Sequence, residues 1–349
     1  MRLQARTTVL WQWLLFAPVA AVVSAFTLCA LLIVWADASV WEAYALVIKG
    51  AVGSRFGITE TLTRATPLIF TGLAAAAAFR AKLWNIGGEG QFYMGALVAT
   101  VLGTGLLPLP AWLLIPLLLI AGAAAGGVTL LLPTLLKARY RVDEVVTTLL
   151  LNFIILLFVS YLLDGPIKDP MSLGWPQAKS VIDEGVIPPL IEKSRLHYGF
   201  IFALLASTGF WLLLYRMRLG YEIRAVGSNP IAARFAGIKV NRVLLKTALL
   251  SGGIAGIGGV CELAGLKGYL TLDISPGFGY SGIAVAMLAL LHPLAVAPAA
   301  IFISAVFVGT DSMSRALNIP SYLADVLVAS SILLVMVFVL FSRYRIVKG

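Results

Sequence analysis

Ten apolar runs, separated by short polar or glycine-rich stretches, fill the chain from end to end: 14–35, 59–79, 90–107, 111–136, 145–163, 199–215, 243–265, 280–291, 294–310 and 323–341. Most carry no charged residue. At about 1.5 Å per helical residue, most are also long enough to cross roughly 30 Å of hydrocarbon. The pattern predicts an all-α polytopic membrane protein of about ten transmembrane helices, forming one domain over 1–349. The first run follows Arg2 and Arg6, as a signal peptide would. It exceeds the roughly 7–15 residues of a signal h-region and has no small-x-small cleavage site, so it is read as a span. The run 280–291 is the shortest and follows the sequence SPGFG. Proline and glycine at membrane depth are tolerated where the backbone is buried in protein or lines a cavity, so this segment is either a crossing or a broken, re-entrant helix.

Composition sharpens this reading. Of 349 residues, 60% are hydrophobic and 12% charged, which excludes an ordinary soluble domain. A net charge of +10 would point to nucleic acid in a soluble protein. Here the cations sit at the ends of apolar runs, so orientation explains them, and no nucleic-acid partner is expected. Most fall on the side that also carries the N-terminus, which places both termini inside the cell. The segment 164–197, rich in Pro, Asp and Lys, then lies outside, and 218–242 lies inside. Cys29 and Cys261 lie in apolar runs and give no disulfide framework, and His197 and His292 belong to no metal-ligand spacing. The chain contains no GxxxxGK[ST], GxSxG, HExxH or CxxC. Any ATP site must therefore come from another chain, and no cofactor or metal is expected in this one.

Several polar residues stand out within this apolar frame. In LWNIGGEGQFYMG, 83–95, Asn85 can cap a helix start and Glu89 can sit in its first turn, favoured by the helix dipole. An acid near a membrane-embedded helix start is equally a functional candidate, and the flanking glycines permit close approach of a ligand or a neighbouring helix. Thr148 and Asn152 share a helix face and suit interhelical hydrogen bonding. The stripe SGGIAGIGG, 251–259, reads as a packing face. On the inner side, Asn229 as N-cap, Pro230 at the first helical position and Gly237 as the stop define a two-turn helix over 230–236. Ile231, Phe235 and Ile238 form its apolar face, suited either to the bilayer surface or to a groove on a cytoplasmic protein.

Four stretches together, TPLIFTGLAAAAAFRAKLWNIGGEGQFYMGA, DEVVTTLLLNFI, LGYEIRAVGSNPIAARFAGI and SPGFGYSGIAVAMLALLHP, resemble the permease subunits of ABC importers for nucleosides and simple sugars. The likeness runs from about residue 59 to the end of the chain. It departs at ALLHP, where such permeases tend to carry a Gly and a polar pair before the Pro, and this leaves substrate choice open. The resemblance implies a bacterial cytoplasmic (inner) membrane protein with two inverted halves. It further implies a cytoplasmic ABC ATPase supplying ATP and Mg, a second permease that is a distinct homologue, and an extracytoplasmic substrate-binding protein. It assigns Asn85, Glu89, Gln91, Thr148, Asn152 and Tyr280 to the substrate pathway. To ATPase coupling it assigns Arg224, Asn229, Pro230, Arg234, Phe235 and Gly237. The competing readings are an ion-coupled secondary transporter, which would need more acids deep in its spans, and an ABC permease for branched-chain amino acids or a related polar metabolite.

Overall fold

A computed structural model of the protein describes residues 2–5, 23–24, 26–27, 29–31, 33–35, 38–318, 326, 329–330, 333–334, 337 and 344–347. Its helices are α1 (Val40–Val52), α2 (Arg55–Arg80), α3 (Gly88–Gly103), α4 (Ala111–Tyr140), α5 (Glu144–Asp164), α6 (Gly199–Arg216), α7 (Arg218–Ser228), α8 (Pro230–Phe235), α9 (Val240–Glu262), α10 (Phe278–Leu288) and α11 (Pro293–Leu317). A π-helical turn, Leu263–Lys267, extends α9. A short antiparallel ladder pairs β1 (Arg2–Ala5) with β2 (Tyr344–Val347). Every described element longer than five residues is helical, and six helices have the length and apolarity to cross a membrane: α2, α4, α5, α6, α9 with its π turn, and α11.

The runs 14–35 and 323–341 lie largely outside the described residues. Helix α1 was not anticipated, because Glu42 and Lys49 interrupt its apolar positions. The run 280–291 is helical only over Phe278–Leu288. At about 1.5 Å per residue its 11 residues cover about 16 Å, half the hydrocarbon thickness. It is thus a broken helix rather than a crossing. Leu290 and Leu291, at φ 52° and 58°, turn the chain through the left-handed region into α11. Helix α3, at 16 residues, is also short of a full span.

The helices form two compact units, Met1–Thr61 with Ile301–Gly349 and Leu62–Ala300. In the first, Cys29, Ile33, Ala43 and Met313 make a small core against Val47 and Leu317. In the second, the glycine stripe of α9 packs as its spacing predicts. A Cβ on Gly256 would lie 2.2 Å from the Gly122 carbonyl oxygen of α4, and one on Gly259 would lie 2.0 Å from that of Phe92 in α3. Only glycine allows backbones this close, and in lipid such van der Waals contact takes the place of a hydrophobic driving force. Helix α9 is mostly internal, whereas α5 turns Leu150, Phe153, Ile154 and Leu157 outward, as a lipid-facing helix does.

The segment 164–197 is strapped to helix ends rather than free. Val181 and Ile187 donate backbone hydrogen bonds to Gly268 and Ala264, and Ile182 donates to Gly103. At its end His197 is buried in space left by Gly265, where a Cβ would lie 2.4 Å from the ring. Its Nδ1 accepts from the Gly199 amide at 3.1 Å, and Nε2 has no partner. Burial lowers the imidazole to about 4. Because the folded value lies below the unfolded one of about 6.5, this group's contribution to stability is complete above pH 6.5 and declines as pH falls toward 4. Acidification from pH 7 to 4.5 is expected to lower the amide protection factors across 187–199, the exchange rates being corrected for their intrinsic fall with pH, and His197→Gln is expected to abolish that loss. Protection factors that stay constant in the unsubstituted protein would contradict it.

Candidate functional site

The turn from α2 into α3, residues 81–87, carries no regular structure and is held by side chains from four helices. Asn85 Oδ1 accepts from the Gly87 amide at 2.9 Å and from Gln91 Nε2 at 2.8 Å, while its Nδ2 donates to Gln91 Oε1 and to Ser251 Oγ of α9. Ser251 in turn donates to the Ala74 carbonyl of α2. From α5, Thr148 Oγ1 accepts from the Ile86 amide, and Asn152 clamps the turn from two sides: Oδ1 accepts from the Gly90 amide and Nδ2 donates to the Ile86 carbonyl. Glu144 Oε1 accepts from the Trp84 amide and pairs with Lys137. Asn85 does not cap α3 as expected. Gly87 holds the cap position, and Asn85 sits two residues earlier in an Asx turn.

This network gives side-chain partners to the Trp84, Ile86, Gly87 and Gly90 amides and the Ile86 carbonyl, groups that no regular structure pairs in an irregular turn. Asn85, Gln91, Thr148 and Asn152 are all buried. Tyr280, at the start of α10, is the exposed member of the set, and its hydroxyl accepts from Asn152 Nδ2 at 3.1 Å.

The partner of Glu89 is the start of α10. Its Oε2 accepts from the Gly279 amide at 2.6 Å, and Ser275 Oγ accepts from the amides of Gly277 and Phe278. The starts of α3 and α10 touch through glycine, since a Cβ on Gly279 would lie 2.1 Å from the Glu89 nitrogen. Each helix start carries about half a positive elementary charge, so a carboxyl set between two converging starts is favourably placed. Glu89 therefore caps the start of α10 from the first turn of α3. Sequence reading missed Ser251, Ser275, Glu144 and Gly279 as participants. Ser251 stood in the glycine stripe and Gly279 in SPGFG, but no local spacing links either to Asn85 or Glu89.

On another surface of the same unit the short helix α8 matches its sequence signals. Asn229 Oδ1 accepts from the amides of Ile231 and Ala232, Pro230 is the first helical residue, and the helix ends at Phe235, one residue earlier than read. Gly237, at φ +81°, closes it: its amide donates to the Arg234 carbonyl and the Ile238 amide to that of Ala233, the paired bonds of a Schellman motif. Ala233 is buried beneath, whereas Arg234 is exposed and Ile231 and Phe235 present 69% and 91% of their surface. Arg224 does not share this outer face. It lies on α7 with its guanidinium carbon 5.1 Å from the Tyr215 ring centre.

A multi-pass helical protein with broken helices meeting start to start in its interior belongs to the class of membrane permeases that move solutes. Comparison with known proteins narrows the class: the chain belongs to the family described as branched-chain amino acid transport system / permease component, whose model matches residues 57–341. It is 34% identical to a glucose ABC transporter permease of Haloferax volcanii over 96% of this chain and 90% of the relative. It is also 34% identical to a guanosine ABC transporter permease of Bacillus subtilis over 92% of each. A nucleoside ABC transporter permease of Lactococcus lactis is 30% identical over 92% of this chain and 90% of its own length. No solved structure gives a significant match.

Proposed function

We propose that this chain forms the translocation path of an ATP-driven importer for a nucleoside or simple sugar in a bacterial cytoplasmic membrane. A separate cytoplasmic ATPase hydrolyses Mg-bound ATP, a substrate-binding protein delivers the solute from outside, and a second, homologous but distinct permease completes the pore within the lipid. The observation that carries the reading is α8. It is capped at both ends and fixed on its inner side by Ala233, yet it holds Ile231 and Phe235 out, which suits a short helix seated in a protein groove. In this reading 218–242 lies on the cytoplasmic side together with both termini, and 164–197 lies opposite, where the binding protein docks.

The pairing of a long helix with a half-helix occurs twice, as α2 with α3 and as α9 with α10, and the two half-helices meet at their starts. This supports two inverted halves of one permease domain. With the runs 14–35 and 323–341, the six long helices give eight crossings, and α3 and α10 are the half-helices that make up the remaining two of the ten apolar runs. Glu89 has a structural role, since its carboxyl accepts from the start of α10. The substrate preference rests on relatives whose names specify glucose, guanosine and nucleosides, whereas the family description specifies branched-chain amino acids. Asn85, Gln91, Thr148 and Asn152 shape the wall of the path, and Tyr280, the exposed member, offers its hydroxyl to the solute.

Isolating the chain from its native membranes in mild detergent tests the reading. An ATPase and a second permease in fixed proportion to this chain are expected, and recovery of the chain alone, with uptake driven by an ion gradient, would overturn it. Within this reading, Glu89→Gln keeps an acceptor but removes the charge set between two helix starts. Hydrogen bonds to charged groups contribute about 1.5–3 kcal/mol. A melting temperature several degrees lower and a several-fold drop in uptake are therefore expected, and unaltered stability and uptake would refute the charge's role.

A further inference from the structure

The inner ends of α2, α6, α7 and α10 converge on one tyrosine. Tyr215, in the last turn of α6, accepts a hydrogen bond at its hydroxyl from Arg80 Nη2 at 3.2 Å. Arg80 ends α2, and its Nε donates to the Leu291 carbonyl at 3.1 Å. Leu291 lies in the left-handed turn that breaks α10 from α11, and its own amide returns to the Ala286 carbonyl of α10. The face of Tyr215 is taken by Arg224 of α7, whose Nη1 is buried without a hydrogen-bond partner. A buried guanidinium nitrogen with no acceptor is costly, and the contact of the guanidinium with the Tyr215 ring is a favourable interaction set against it.

The arrangement has mechanical consequences. Helix α7 runs directly into Asn229, the cap of α8, so the two helices meet at an elbow of one residue with no linker between them. Near the same elbow Gly227 lies on the Arg80 turn so closely that a Cβ would sit 1.8 Å from the Arg80 carbonyl oxygen. A displacement of α8 must therefore move α7 against Arg80 and Tyr215. Arg80 holds the α10–α11 break by its carbonyl, and the opposite end of α10 is the one that Glu89 caps. Two successive non-glycine residues in the left-handed region, Leu290 and Leu291, are unfavourable for side chains with a Cβ, so the break is held in a strained form that an external bond can select.

We propose that Arg80, Tyr215 and Arg224 are positioning residues that convert movement of the α8 segment into movement of the half-helix α10, and so couple ATP hydrolysis to opening of the path. The inference rests on the importer function proposed above. It assigns Arg224 to internal transmission instead of to the ATPase surface. Tyr215→Phe removes the hydroxyl that Arg80 binds while leaving the ring for Arg224. Arg224→Met removes the cation and keeps an apolar stem.

The test uses the isolated complex with its own ATPase in vesicles, and whichever of labelled guanosine or labelled glucose the unsubstituted complex moves. The quantity read is solute moved per ATP hydrolysed. A purely structural defect lowers assembly and transport together without changing this ratio in the complexes that form, whereas a broken transmission lowers the ratio itself. A drop of at least threefold in both variants, with the ATPase still bound, is expected. A ratio unchanged in either variant overturns the proposal, and should one variant fail to assemble, the other decides alone. If the unsubstituted complex carries no ATPase, the importer function itself has failed, and this is visible before any variant is made.

Discussion

Gly279→Ala is expected to abolish uptake and to lower the stability of the permease by about 3–5 kcal/mol. The new methyl group would stand 2.1 Å from the Glu89 nitrogen and 2.5 Å from the Gly88 carbonyl carbon, both backbone atoms, so no side-chain rotation can relieve it. The starts of α3 and α10 must separate. Overpacking of this kind costs about 1–3 kcal/mol. Separation also lengthens the 2.6 Å bond from the Gly279 amide to Glu89, and a charged hydrogen bond contributes about 1.5–3 kcal/mol more. The matched control is Gly209→Ala in α6, where a Cβ meets nothing within 4 Å and a helical Ala is favoured over Gly by about 0.5–1 kcal/mol. Thermal unfolding in detergent and uptake in vesicles check both variants. Wild-type behaviour of Gly279→Ala would mean that the two half-helices do not meet as described.

Phe235→Asp is expected to release the ATPase while leaving the permease as stable as before. At 91% exposure the ring contributes little to the fold of this chain. Substitutions at such exposed sites change stability by at most about 0.5 kcal/mol. An aromatic anchor seated in a partner's groove, by contrast, contributes about 2 kcal/mol or more, so its replacement by a charge weakens association by at least about thirtyfold. Co-purification of the ATPase with this variant, compared with an unchanged melting temperature of the permease, is the measurement. Full retention of the ATPase would remove α8 from the docking surface.

These two positions differ in how far they could be read from the sequence. The caps of α8 are local: Asn229, Pro230 and Gly237 each act within three residues, so the order of residue types sets the start and stop, and only the last residue differed. The glycine stripe of α9 was equally legible, because small residues at helical spacing have few other uses in a membrane. The length of α10 was less so. The apolar run continues through Leu290 and Leu291, and nothing in their side chains announces the left-handed turn that ends the helix. Helix α7 was hidden in a segment whose polarity resembled that of a loop.

The identities of the site residues were visible but their partners were not. Asn85, Glu89, Gln91, Thr148 and Asn152 stood out as polar residues among apolar ones, which suggested an offer of hydrogen bonds to a solute. The fold spends those bonds on its own backbone and side chains, across separations such as the 190 residues between Glu89 and Gly279 and the 166 between Asn85 and Ser251. Pairings over such distances depend on which helices become neighbours, and a short window of sequence does not hold that information. The same closure of the network leaves Tyr280 as the exposed side chain of the set.

The central claim, that ATP hydrolysed by a partner drives a solute through this chain, is tested most directly by reconstituting the isolated complex in vesicles with ATP on the α8 side and ionophores present. Labelled guanosine or glucose is supplied with the binding protein on the other side. Accumulation that requires ATP and persists without any ion gradient is the expected result. Accumulation that vanishes with the ionophores and ignores ATP would contradict it.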